Sequence, residues 1–90
     1  MPRYARLIQF TPGDATRLAV RDAHRAHLRE LFDAGTLVMS GPWTADDGAL
    51  LIYDAPNLDA ARDLVAADPY TQAGVITELS LHEWNVVFGG

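Results

Sequence analysis

A 90-residue chain with 49% hydrophobic and 21% charged residues has the balance of one globular domain over residues 1–90, not of a disordered segment. Its formal charge of −5 argues against a nucleic-acid partner, because phosphate contacts need a surplus of basic side chains. All seven basic residues are Arg and there is no Cys, which excludes lysine Schiff-base chemistry, thiol nucleophiles, disulfides and Cys-ligated zinc. Met1-Pro2-Arg3-Tyr4 runs straight into a strand-like segment with no apolar leader, and no apolar run approaches the roughly 20 residues of a membrane helix. The expectation is a soluble, cytoplasmic protein with no membrane partner.

Residues 4–10 are apolar with polar interruptions at Arg6 and Gln9, a strand signal that Thr11-Pro12-Gly13-Asp14 ends. Residues 16–34 read as an amphipathic helix. At roughly 100° per residue, Val20, Leu28, Leu31 and Phe32 fall on one side, and Gly35 sits where a left-handed C′ residue belongs. Residues 36–40 form a short strand that Gly41-Pro42 stops. Residues 44–48 are a polar turn, and residues 49–53 form a buried strand. Asn57 is an N-cap for a second helix with Leu58, Ala61, Leu64 and Val65 on its stripe. That helix ends at Ala67 or Asp68, because Pro69 disfavours helical backbone before it. Residues 75–88 make a last strand, bent or broken once. The order β-α-β-β-α-β predicts an α+β, ferredoxin-like fold: an antiparallel sheet with two helices on one face. The other sheet face then lacks a cover, and a second copy of the chain is its natural occupant.

His24 lies four residues from both Val20 and Leu28, near the middle of the inward side of the first helix. A titratable ring there must find a partner or lose its charge. The bland reading is a neutral imidazole bonded to a carbonyl or a water. The functional one is a general acid/base, since an unperturbed imidazole titrates at about 6.5. Asp68 is the candidate partner. At a helix C-terminus its carboxylate opposes the dipole, and local sequence favours a plain role as N-cap of a short turn through Gln72. In the functional reading it holds one ring N–H of His24, fixing the tautomer and raising basicity.

His27 follows His24 by three, but the spacing and neighbours of a zinc-protease helix are missing, so no metal is expected. Arg17, Arg21, Arg25 and Arg29 recur every four residues as a solvated ridge, with Arg29–Asp33 as an i,i+4 pair. Arg21, one turn before His24, could clamp the carboxylate or phenolate of a small substrate. Ser40-Gly41-Pro42-Trp43 reads as turn structure, with Ser40 lacking a nucleophile-elbow context and Trp43 able to wall a pocket or a dimer seam. Ser40, Trp43 and Tyr70 complete the candidate substrate contacts beside Arg21.

Together these pieces resemble the YciI-like (YCII-related) family: Arg21-Asp22-Ala23-His24 with Leu28 behind, Gly35-Thr36-Leu37, Ser40-Gly41-Pro42, Ala60-Ala61, Asp68-Pro69-Tyr70, Ala73-Gly74-Val75 and Trp84. The similarity covers nearly the whole chain in the right order. It implies a ferredoxin-like α+β fold of the dimeric α+β barrel type, a homodimer, and an active site on a His and an Asp, which map to His24 and Asp68. A related enzyme of chloroaromatic degradation is a dehydrochlorinase. The resemblance therefore implies cofactor-free proton transfer on a small organic molecule, of lyase or isomerase type. The alternative is a non-catalytic binding or accessory module with the same pocket.

Overall fold

The computed structural model describes residues 1–89. Strand β1 (Arg3–Gln9) leads into helix α1 (Ala15–Asp33). Strands β2 (Leu37–Pro42) and β3 (Gly48–Asp54) follow, then helix α2 (Leu58–Ala67), a short helix α3 (Pro69–Ala73) and strand β4 (Thr77–Glu83). The sheet order is β2-β3-β1-β4, with every neighbouring pair antiparallel. This is the expected α+β arrangement, with α3 added where the sequence suggested only a turn.

The helix boundaries follow from local chemistry. Asp14 caps α1 by accepting from the Thr16 amide. At the other end, the Thr36 N–H returns to the Leu31 carbonyl and the Gly35 N–H to that of Phe32, a Schellman closure that needs the left-handed Gly35 (φ 80°). Asn57 caps α2 through the Ala60 amide. Asp68 ends α2 and starts α3, accepting from the Tyr70 amide, with Pro69 at the first helical position.

Alternation along the strands divides the sheet faces. Tyr4, Arg6 and Ile8 of β1 and Ala49, Leu51 and Tyr53 of β3 are buried, and Ile8, Leu37, Ala49, Leu51, Tyr53 and Tyr70 form the main core. Val20, Leu28 and Leu31 of α1 pack against it as expected, but Phe32 is 52% exposed. Phe32 sits in the last turn of α1, beyond the side that meets the sheet, where Arg29 lies near its ring. By register, Ala5, Leu7 and Leu50 face the other side of the sheet, and Met39, opposite Ile52, is exposed there.

Two strand boundaries differ from expectation. Gly41-Pro42 does not stop β2 but belongs to it. A proline without a donor is tolerated because β2 is an edge strand. Strand β4 ends at Glu83, leaving Val87 and Phe88 exposed, because its partner β1 begins only at Arg3, and the Trp84 N–H makes a last bond to the Arg3 carbonyl.

The pairing of β1 with β4 also contains a bulge. Leu7 opposes Ser80 but Ile8 opposes Glu78, so Leu79 is the extra residue. Without it, alternation would turn Glu78 to the face shared by Ser80. With it, Glu78 turns to the face that carries Arg6.

Candidate active site

His24 is buried, 8% exposed, on the sheet-facing side of α1. Its Nδ1 lies 2.7 Å from Asp68 Oδ1. The same oxygen accepts from the Tyr70 N–H at 2.9 Å, and the Tyr70 ring stacks on the imidazole with centroids 3.7 Å apart and planes 4° from parallel. The two readings of Asp68 thus coexist: one carboxylate caps α3 and meets the histidine. Pro69 is what makes this possible, since it forces α2 to stop and turns the Asp68 side chain toward α1.

The other oxygen of Asp68 accepts from Arg6 at 2.7 Å. Arg6 is fully buried and uses all five of its N–H donors. Its Nε reaches Glu78 at 2.9 and 3.1 Å, one amino group bonds Tyr53 Oη at 3.0 Å and Asp68, and the other bonds Thr71 Oγ1 at 3.1 Å and Glu78 again. The bulge at Leu79 is what brings Glu78 into this set. In the sequence, Arg6 reads as a polar interruption of the strand. The signal that could have found it is its place between Tyr4 and Ile8 at period two, which sets it on the core face.

Burial alone would push the Asp68 carboxyl up. The bond and charge of His24, the Arg6 bond and the Tyr70 amide outweigh that and hold it below the usual carboxylate range. Burial likewise works against the Arg6 charge, yet Glu78, Tyr53 and Asp68 raise its pKa further. An ionised Asp68 can only accept, so His24 Nδ1–H is the donor. In the neutral imidazole the lone pair then resides on Nε2, the tautomer required of a general base.

His24 and Tyr70 line a cavity of about 240 Å³ between α1 and the sheet. Arg21 and Ser40 line it as well, while Trp43 is not among its lining residues. A methyl group built on Gly48 would come within 3.1 Å of the Trp43 ring, so this indole packs on the β2–β3 turn instead. The arginine ridge is not uniformly solvated. Arg17 is 2% exposed, with its guanidinium 4.0 Å over the Phe10 ring and 3.3 Å from Asp46, because that ring covers the first turn of α1. Arg21 is half-buried, and Arg25 and Arg29 are exposed, the latter paired with Asp33 at 3.2 Å. His27 is half-buried at the margin of the stripe. Among the described residues, no three His, Asp or Glu side chains gather closely enough to hold a metal ion, and no helix is long and apolar enough to cross a membrane.

The chain is 38% identical over 82 residues to Protein YciI of Escherichia coli O6:H1, covering 80% of this chain and 84% of that protein. It is 30% identical over 82 residues to the derivative of benzaldehyde biosynthesis cluster protein C of Emericella nidulans, covering 74% and 84%. A solved structure of 5-chloro-2-hydroxyhydroquinone dehydrochlorinase from Burkholderia phenoliruptrix, in complex with 2,5-dihydroxybenzoquinone, superposes with a TM-score of 0.77 at 26% identity, covering 92% of this chain and 93% of that one. The family model of the YCII-related domain matches residues 2–85, and the chain belongs to that family.

Proposed function

We propose that the chain is an enzyme for a small organic molecule, catalysing proton transfer of lyase or isomerase type without a cofactor. The observation that carries this reading is the bond from His24 to the buried Asp68 on the wall of a cavity large enough for one substituted ring. Asp68 fixes the imidazole, and Nε2 takes a proton from a substrate carbon or hydroxyl. The released electron pair forms a new double bond. In a dehydrochlorination the chloride leaves with its bonding electrons, and the imidazolium then returns the proton to solvent. General base catalysis of this kind contributes about 10²–10⁴-fold. The dehydrochlorinase neighbour supports the substrate class of halogenated hydroquinones.

The test is chloride release from chlorinated hydroxyhydroquinones, with isomerisation of unsaturated lactones as a second panel. His24→Gln is expected to lose about 10²-fold or more in kcat/KM. Turnover equal to the parent would remove His24 from the chemistry.

A second reading has one observation in its favour: Asp68 is saturated by Arg6, Tyr70 and His24 together, as a structural polar network would be. In that case the cavity binds a metabolite without changing it. His24→Gln would then lower the melting temperature while leaving ligand affinity intact.

The proposed protein is a cytoplasmic homodimer. Ala5, Leu7 and Leu50 on the sheet face away from the helices, with Met39 59% exposed beside them, are the surface a second copy would cover. Sedimentation equilibrium checks this, and a monomer at micromolar concentration would refute it.

A further inference from the structure

The cavity's charge is unbalanced. Arg17, Arg21 and Arg25 line it from α1, and Asp46 supplies the one carboxylate among its described lining residues. Arg17 is buried, and its Nε–H has no hydrogen-bond partner among the described residues. The Nε–H of Arg21 is also buried and unpartnered. Buried donors are nearly always satisfied in folded proteins, and charged ones are the costliest to leave free. What Arg17 does have leaves that N–H unused: the face of the Phe10 ring 4.0 Å from its guanidinium, and a 3.3 Å contact from an amino group to Asp46, a half-exposed side chain on a turn residue with φ 56°. The network at Arg6 is the contrast, since there every guanidinium N–H is used.

We infer that Arg17 and Arg21 form an anion subsite in this cavity, and that its ligand is a single planar ring bearing a carboxylate or an equivalent delocalised oxyanion. A guanidinium presents a planar fork that matches two oxygens sharing one charge. Arg21 and Arg17 precede His24 by three and seven residues, about 5–10 Å along the helix axis at roughly 1.5 Å per residue. One substituted ring spans that distance, so the anion sits at one end and the atom facing His24 at the other. The cavity, at about 240 Å³, falls below the roughly 300–1,000 Å³ of drug-sized sites, which fits a ligand of one ring. Asp46 is then a resident competitor, holding Arg17 until a ligand oxyanion displaces it. This assignment rests on the cavity being a small-molecule site, but not on His24 performing chemistry.

The test is an NMR titration of the full chain with sodium benzoate and with benzamide, which keeps the ring and removes the charge. Benzoate is expected to bind about ten-fold or more tightly than benzamide. Arg21→Gln, at a half-buried position that leaves the core intact, is expected to erase that preference. Asp46→Asn is expected to tighten benzoate several-fold, by about the loss of one neighbouring like charge. Equal affinity for the two compounds, no benzoate binding at millimolar concentration, or an unchanged preference in Arg21→Gln would each overturn the subsite. If the preference stands while no substrate is turned over, the enzymatic reading alone fails.

Discussion

Arg6→Met is the substitution that most directly probes the buried network. The side chains of Arg6 and Asp68 are 0% and 1% exposed, so removing the cation strands a carboxylate away from water. Breaking a buried pair from one side costs about 3–5 kcal/mol. Some relief comes from His24 and the Tyr70 amide, which still hold Asp68, and Glu78, 35% exposed, can turn to solvent. The lower end, about 3 kcal/mol, is therefore the expectation. For a 90-residue chain, an unfolding entropy of about 2.1 cal/mol/K per residue makes each kcal/mol worth about 5 °C, so Tm should fall by about 15 °C. The internal control is Arg29→Met. Its pair with Asp33 is 73% and 60% exposed, and its loss should shift Tm by about 2 °C or less. Adding Asp68→Asn to Arg6→Met removes the stranded charge, so the double variant should be more stable than the sum of the single losses. Thermal unfolding followed by circular dichroism measures all four. A fall of under about 5 °C for Arg6→Met, or strict additivity in the cycle, would show that this cluster is solvated and carries no strong coupling.

The same carboxylate makes the stability of the fold depend on pH in the acid range. Its folded pKa lies below the unfolded value of about 3.9, so its contribution is fully present above about pH 4 and is lost as pH falls through the folded value. Urea midpoints should drop below about pH 4, and the curve for Asp68→Asn should be flatter there; parallel curves would refute the assignment. Gly48→Ala places a methyl 2.5 Å from the Ile8 carbonyl oxygen, a clash with backbone that should cost about 1–3 kcal/mol. An unchanged Tm in that variant would mean that β3 can shift against β1.

Much of the site was legible because it obeys local rules. An imidazole among Val20, Leu28 and Leu31 is conspicuous by period, and Asp-Pro after an apolar stripe marks a forced turn. What could not be read depends on pairing between distant segments. Glu78 joins Arg6 only because an extra residue at Leu79 inverts the alternation of β4, and nothing in the residues around Leu79 announces a bulge. Arg17 looked like one more member of a solvated ridge. Its burial needs the Phe10 ring, which arrives from the end of β1, outside any helical periodicity. Phe32 erred the other way: it matches the period, but the helix outruns the surface it packs on. Gly41-Pro42 carries a strong stop signal that an edge position in the sheet cancels.

One carboxylate oxygen serves both the Tyr70 amide and the imidazole. That double duty dictates side-chain length at position 68. A glutamate would carry the same charge on an arm one methylene longer, too far out to fold back onto an amide only two residues ahead. Acidity alone is thus not what this position requires. A chain that kept the charge but lengthened the arm would loosen the start of α3, and with it the ring of Tyr70 against which the imidazole lies flat.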